Sequence, residues 1–388
     1  MAYTTIDDGS VYFQTVLWTG DNADTRNITN DGNSDLQPDW VWIKSRSGSG
    51  NGFSHNVHDT SRGVDSNINK SLAPDQNDKE GLGNNVTTSA QLGGVSAMLS
   101  DGFTVKEGSS NDDARYVNKS SNTYVGWQWK VNGGTTASNS NGSITSTVQV
   151  NTVAGFSIIL YTATGSNATI GHGLSQAPEL IITKGRSDNH SWIVGSTADS
   201  SDFSKVFVLN SNAASVTSTG NYQGVAPTST VYSIGTSGGN NSTGGGGLYV
   251  AYAFHSVQGY SKFGSYKGNG SSSDGPFVYT GFKPAFLITK KSSASDHWKI
   301  YDNKRDLFND GSLTGMKANS NESESDAGTR GIDLLSNGFK IREGDGDTNG
   351  TGQDFIYIAF AEHPFVSSEG VPVTARWKIL YSLYFFLS

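Results

Sequence analysis

The chain has 388 residues, room for roughly two to four domains of about 100–200 residues each. Its 35 acidic side chains against 27 basic ones leave a formal net charge of −8, which excludes the basic face that phosphate neutralisation requires, so nucleic acid is not an expected partner. There is no cysteine, which excludes disulfides and thiolate metal sites and suits a bacterial or viral protein better than a secreted eukaryotic module.

Charged residues make up only 16% of the chain, beside 48 Gly, 18 Phe, 16 Tyr and 8 Trp. Disordered chains lack aromatics, so this turn-rich, weakly charged composition is that of an all-β protein. The opening "MAYTTIDDGSVYF" has neither the cationic nor the apolar region of a secretory signal. Three landmarks then recur along the chain. "LWTGDN" around Trp18 returns as "LYTATG" around Tyr161 and "SYKGNG" around Tyr266, in each case 17 to 20 residues before a proline. From those prolines run "PDWVWIK" (Pro38), "PELIITK" (Pro178) and "PAFLITK" (Pro284), with lysine six residues on. Each is dense in β-branched and aromatic residues and predicts a strand with proline at its mouth.

Downstream, "YVGWQW" from Tyr124 returns as "YVAYAF" from Tyr249 and "YIAFAE" from Tyr357. Alternation places Val125, Trp127 and Trp129 on one face, with Val250, Tyr252 and Phe254, then Ile358 and Phe360, in the later copies. The opposite face is small, at Gly126, Ala251 and Ala359. Both faces are largely dry, as in a strand from the middle of a sheet that packs on another sheet. Just ahead of the first and third copies stand "LSDGFTVKEG" (99–108) and "LSNGFKIREG" (335–344), nearly one phrase written 236 positions apart. Asp101-Gly102 and Asn337-Gly338 predict hairpins; in the second copy "VYSIGTSGG" from Val231 stands there instead. No segment shows a sustained helical period. The reading is three tandem β-sandwich, jelly-roll-like units: 11–132, 155–256 and 257–366, with 133–154 as linker and entry strand. "NGGTTASNSNGS" (132–143) has linker composition, whereas the second unit runs into the third with no spacer. Residues 367–388 form an atypical apolar tail. Its "WKILYSLYFFLS" falls short of the roughly 20 residues of a membrane span, so membrane insertion is not expected; it reads as a docking strand or as read-through past a natural end near Arg376.

Motifs that carry chemistry are few. "GTSGG" (235–239) fits the hydrolase serine pattern by letter, but "NNSTGGGG" follows where a helix is required. His55 and His58 in "HNVHD" point to opposite faces if on a strand and read as solvated loop histidines. Asp59 with Arg62, and Asp302 with Arg305, are spaced for turn-stabilising ion pairs, with Arg305 also able to contact an anion or a sugar. Asp345, Asp347 and Asn349 in "DGDTNGTGQD" alternate like hard oxygen ligands for calcium, although Ile356 stands where a closing glutamate belongs; beyond calcium no cofactor is indicated. Trp192 and Trp298 each lie eight residues after the motif lysine, and read as core side chains ahead of platforms for a sugar ring. Asn-x-Ser/Thr triplets, as at Asn27, Asn141 and Asn269, are expected by composition alone.

Three long stretches carry a resemblance: "GFSIILYTATGSNATIGHGLSQAPELIITK" (155–184), "QGYSKFGSYKGNGSSSDGPFVYTGFKPAFLITKK" (258–291) and "FIYIAFAEHPF" (355–365). In these the chain resembles a family of marine bacteriophage virion proteins, tail-fibre or other particle-surface components. The likeness spans most of residues 11–366 and is strongest over 140–366. It implies a virion protein assembled in the host cytoplasm that mediates host-surface attachment, with other virion proteins and a host glycan or receptor as partners. It implies a homo-oligomer too, a trimer if borne on a fibre, and brings no catalytic residues. The competing expectations are a carbohydrate-binding module array and, third, a glycan depolymerase.

Overall fold

The structure, a computed structural model, describes residues 3–47, 53–65, 68–81, 93–108, 116–305, 315–324 and 331–373. Among the described residues the fold is all-β: the strands named below pair antiparallel, and the helical segments Gly9–Val11, Thr219–Tyr222, Gly238–Asn241, Gly244–Gly246 and Gly346–Asn349 are three or four residues long. One strand order occurs three times. In the first unit it runs Phe13–Thr19, Thr123–Trp129, Trp40–Ser45, Asn56–Asp59, Ser71–Leu72. In the second it runs Phe156–Thr162, Leu248–Phe254, Leu180–Gly185, Ile193–Ser196, Lys205–Val208. In the third it runs Ser261–Lys267, Asp354–Pro364, Phe282–Lys291, Lys299–Asp302, Met316–Lys317. The three Tyr-containing runs are thus interior strands, flanked on both sides, as their two dry faces require.

Each of these walls has a smaller sheet beside it. In the first unit this is Thr25–Ile28, Gly102–Lys106 and Gly94–Leu99; in the second, Ala168–Gly171 with Val231–Ile234; in the third, Phe277–Tyr279, Gly338–Ile341 and Ile332–Leu335. The small face of the Tyr strand turns toward this sheet. A Cβ on Gly126 would lie 3.2 Å from the ring of Phe103, so a larger residue there would have to displace that ring. The repeated ten-residue phrase is the hairpin of the smaller sheet. Leu99 pairs with Gly102 and Leu335 with Gly338, so the turns are Ser100-Asp101 and Ser336-Asn337, one residue earlier than Asp-Gly or Asn-Gly would place them. The glycine instead admits a neighbouring strand: a Cβ on Gly102 would sit 2.0 Å from the Ile28 carbonyl oxygen, and on Gly338 2.1 Å from that of Val278.

The bulky face of each wall turns the other way, and all three meet. Phe13, Trp40 and Trp129 from the first unit, Phe156, Tyr252 and Phe254 from the second, and Phe286 and Phe360 from the third belong to one buried cluster. Ring pairs cross every boundary: Trp40 with Tyr252 (4.7 Å between centroids), Phe13 with Phe286 (5.6 Å) and Phe254 with Phe360 (5.8 Å). The units are therefore three walls around a shared aromatic axis rather than beads strung out for distance. The start of the chain reaches the third unit, where the Tyr3 hydroxyl donates to the Gly281 carbonyl (2.9 Å) and Thr4 Oγ1 to that of Gln258 (2.7 Å).

The boundaries differ from the expectation in detail. Within 133–154, Ala137–Asn139 and Ser146–Asn151 extend one edge of the second wall, and Val216–Thr217 extends the other, to make an eight-stranded sheet. The glycine-rich entry to that segment is held by Asp39, whose carboxylate accepts the N–H groups of Val131, Gly133 and Gly134 at 2.7–3.0 Å. Pro38 and Pro178 precede their strands by two residues; Pro284 lies inside its strand, at a register shift that relieves the missing donor. In the apolar tail, Val373 N–H donates to the Phe365 carbonyl at 3.1 Å; residues 374–388 lie outside the described residues.

Candidate functional site

The proline-to-lysine run ends in a side chain that water would be expected to hold, yet Lys44, Lys184 and Lys290 are at most 1% exposed. Each ammonium donates to three carbonyls, one for each of its protons. Lys44 reaches Ser45, Phe53 and Asn321; Lys184 reaches Gly185, His190 and Asn77; Lys290 reaches Lys291, Asp296 and Asn212, all at 2.7–3.3 Å. The last acceptor in each set belongs to the neighbouring unit. The first unit thus grips the third, the second grips the first, and the third grips the second. Burial pulls the lysine pKa down, to about 8 at Lys44 and Lys290 and about 7 at Lys184, against nearby carboxylates that favour the charge.

A ring repeats the same circuit. His55, Trp192 and Trp298 each stand just before the fourth strand of their wall. His55 Nε2 bonds the Lys317 carbonyl (3.0 Å), Trp192 Nε1 that of Ala73 (2.9 Å) and Trp298 Nε1 that of Val208 (3.2 Å), again across to the neighbour. Because the indole of Trp42 can only donate, and does so to His55 Nδ1 at 2.8 Å, the proton of His55 is on Nε2. Burial holds His55 well below the ordinary histidine range.

The three seams part company in their charges. In the first–second seam Arg62 pairs with Asp59 (2.5 Å) and Glu80 (3.1 Å), Arg186 also binds Glu80 (3.0 Å), and the Tyr252 hydroxyl donates to Asp59 (2.7 Å). The first–third seam repeats this with Arg305 on Asp302 (2.6 Å) and Glu324 (2.8 Å), Arg46 on Glu324 (2.7 Å) and Trp127 Nε1 on Asp302 (3.0 Å). Burial would raise the Asp59 carboxyl, but the Arg62 guanidinium outweighs it and holds that group below its usual range. Strand register identifies the second–third counterparts: Trp40 faces Asp59, Phe286 faces Asp302, and Leu180 faces Ser196. Three residues on, Asp199 occupies the place of Arg62 and Arg305. The backbone bond from Glu80 to Arg186 and from Glu324 to Arg46 recurs as Ser215 to Ser292 (3.2 Å), with serine at both positions.

There the seam opens into a cleft of about 410 Å3, lined by Asp199 and Lys205 from one side and by Tyr266, Lys267, Ser292 and Asp354 among others from the other. A second cleft, about 240 Å3, lies between the first and third units beside Phe13, Asp31, Lys304 and His363.

The residues singled out from the sequence fall mostly on the seams. Trp192 and Trp298 are each 1% exposed and offer no face to a sugar ring. Arg305 is buried in its ion pairs, since the turn it braces lies under the seam and not on the surface; its guanidinium is committed to Asp302, Glu324 and the Ile300 carbonyl. His55 and His58 are likewise buried, not solvated loop residues: His58 lies on an inner strand of the first wall, bonds the Asn69 carbonyl through Nδ1 (2.7 Å), and is pushed by burial to about 3. Ser237 of "GTSGG" caps a four-residue turn. The proposed calcium ligands are spent elsewhere: Asp345 caps the Gly346–Asn349 turn, Asp347 pairs with Lys299 (2.8 Å), and the Asn349 amide is buried, its oxygen accepting from the Asn269 N–H (2.8 Å). Among the described residues no three His, Asp or Glu converge as a metal site. What the sequence did not single out is the set of motif lysines, whose signal was a charged residue closing an apolar run at the same place three times.

No curated protein and no solved structure matches the chain. A family model described as a domain of unknown function, DUF7483, matches residues 8–364, a span that covers all three walls. The chain belongs to that family.

Proposed function

We propose that this protein is a structural component of a bacteriophage particle, a tail-fibre or other surface element that carries loops toward the host. The observation that supports the reading is the closed circuit: three walls, each holding the next through a buried lysine and a buried ring, enclose an aromatic core. A free particle has no means of replacing a worn part, and in salty water exposed ion pairs are screened within a few ångströms. Burial and ladders do not depend on that field, and buried pairs are screened far less. The chain has the symmetry of a trimer without needing a second copy to close its core; self-association, as on a fibre, would add to the outside of the walls.

Mass spectrometry of purified particles tests the assignment, together with competition by the purified chain for adsorption to host cells. Recovery with the particles and slowed adsorption are expected. A chain confined to infected-cell lysate and without effect on adsorption would overturn it.

A further inference from the structure

We infer that the third unit is stapled by an intramolecular amide bond that forms between Lys299 and Asp347. One contact identifies the corresponding places in the three units. From the first strand of each wall a ring donates to a carbonyl: Trp18 to Val117 (2.8 Å), Tyr161 to Asn240 (2.6 Å) and Tyr266 to Thr348 (2.8 Å). The residue after that carbonyl is an asparagine each time, Asn118, Asn241 or Asn349, and the residue before it is Tyr116, Gly239 or Asp347. Asn56, Ile193 and Lys299 open the fourth strands. In the second unit a Cβ on Gly239 would lie 2.4 Å from Ile193 Cγ1, so the two places face each other there as they do in the third. Of the three, the third unit alone sets an ammonium against a carboxylate, Lys299 Nζ on Asp347 Oδ2 at 2.8 Å. The fold does not require charge at this place, and a buried ion pair gains little net stability for its desolvation.

The arrangement is that of an amine held against its acyl group. Lys299 is 1% exposed and sits on an interior strand of the wall. Asp347 is held from both sides. Asp345 accepts its N–H (3.2 Å), and the Asn349 amide accepts from the Asn269 N–H (2.8 Å) and donates to the Glu343 carbonyl (2.7 Å). Fixing two reactants in this way raises their effective concentration by orders of magnitude, and a dry setting favours an uncharged amide over two charges. One ammonium proton crosses to the carboxylate, leaving an amine and an acid. Nζ then adds to Cγ, a Cγ–O bond breaks, and that oxygen leaves as water with a second proton, while the third stays on the amide nitrogen. Nothing is oxidised or reduced. The Asp347 side chain, 23% exposed, gives the water a way out. A staple made once and never turned over suits a part that is not replaced, and it forms in the purified chain whether or not that chain is carried on a particle.

Mass spectrometry of the full chain, intact and after trypsin, tests the bond. A chain lighter than its sequence by one water is expected, with a branched peptide that joins Lys299 to Asp347. Asp347→Ala should restore the full mass. Lys299→Arg keeps a cation against Asp347 but has no amine to acylate, so it should fold, show its full mass and unfold in urea roughly tenfold faster than the native chain. An intact mass equal to the sequence would overturn the staple. So would a branched peptide placed elsewhere, as at Lys291 and Asp296, which also lie 2.8 Å apart, or a Lys299→Arg chain that unfolds at the native rate.

Discussion

The first–second and second–third seams share a backbone path and differ in chemistry. Both have the lysine clasp, the tryptophan donor and the same bond from the neighbouring strand, at Glu80 to Arg186 in one and Ser215 to Ser292 in the other. Only the first adds Arg62, Asp59, Glu80 and Arg186. The parts common to all seams are those that build the ring of walls, and the charged cluster is an addition two seams carry. Where it is missing, the walls still meet and a cleft remains. A buried ion cluster is weak evidence for net stability, since its desolvation cost offsets much of its attraction, so a seam without one is not for that reason the weak seam.

Removing one member of a cluster separates these ideas most sharply. Arg62→Met leaves the Asp59 carboxylate, and Arg305→Met the Asp302 carboxylate, buried without its cation, while Glu80 and Glu324 keep Arg186 and Arg46; each should cost ~3–5 kcal/mol in urea unfolding. The matching Asp199→Ala, at the same place in the second–third seam, should change stability by less than about 0.5 kcal/mol. Equal losses at all three would erase the distinction between the seams.

Acid acts most on two histidines of the first unit, His55 and His58, although burial also lowers His172, His190 and His297 in the other units. His58 sits at about 3 in the fold against about 6.5 unfolded, and its buried Nε2 has no acceptor for a second proton. Between those values the unfolded chain binds a proton that the folded chain does not, so stability is lost as pH falls below about 6.5, by roughly 1.4 kcal/mol per pH unit for this group. His55 adds to the loss in the same direction, because protonation removes the acceptor that the Trp42 indole uses. Hydrogen exchange at pH 5 should therefore show the first–third seam opening before the second–third, and His58→Gln should flatten the dependence of the urea midpoint on pH. Opening in the reverse order would contradict the assignment.

The clasp should be indifferent to seam type. Lys44→Met, Lys184→Met and Lys290→Met each leave three carbonyls without a donor, for roughly 1–3 kcal/mol apiece in denaturant midpoints. A loss confined to the charged seams would mean that the neighbouring carboxylates, not the carbonyls, hold these lysines. The smallest effect is a gain: Ser215→Glu with Ser292→Arg should add about 0.5–1 kcal/mol if the grafted pair closes as it does elsewhere.

The strands were legible because alternation and apolar runs report a strand's own two faces. "YVGWQW" and its copies carry the pattern of an interior strand within six residues, and the structure places them inside. The hairpins of the repeated phrase were legible too, one residue out, because glycine marks a tight place without saying whether a turn or an approaching strand makes it tight. His55, Arg305 and Trp192 were harder. Their identities fit both a solvated loop and a seam, and the groups that decide between those, the Lys317 carbonyl, Glu324 and the Ala73 carbonyl, are remote in the chain or belong to another unit.

By itself, then, the sequence determined an all-β chain in three related parts, since periodicity and composition are local and survive any arrangement of the parts. Only the tertiary structure decided that the bulky faces look inward at one another, that three recurring lysines close the ring, and that one seam of three lacks its arginines. Those are relations between residues far apart in the chain, and a backbone must fold before such groups share the dry interior in which a missing charge is felt.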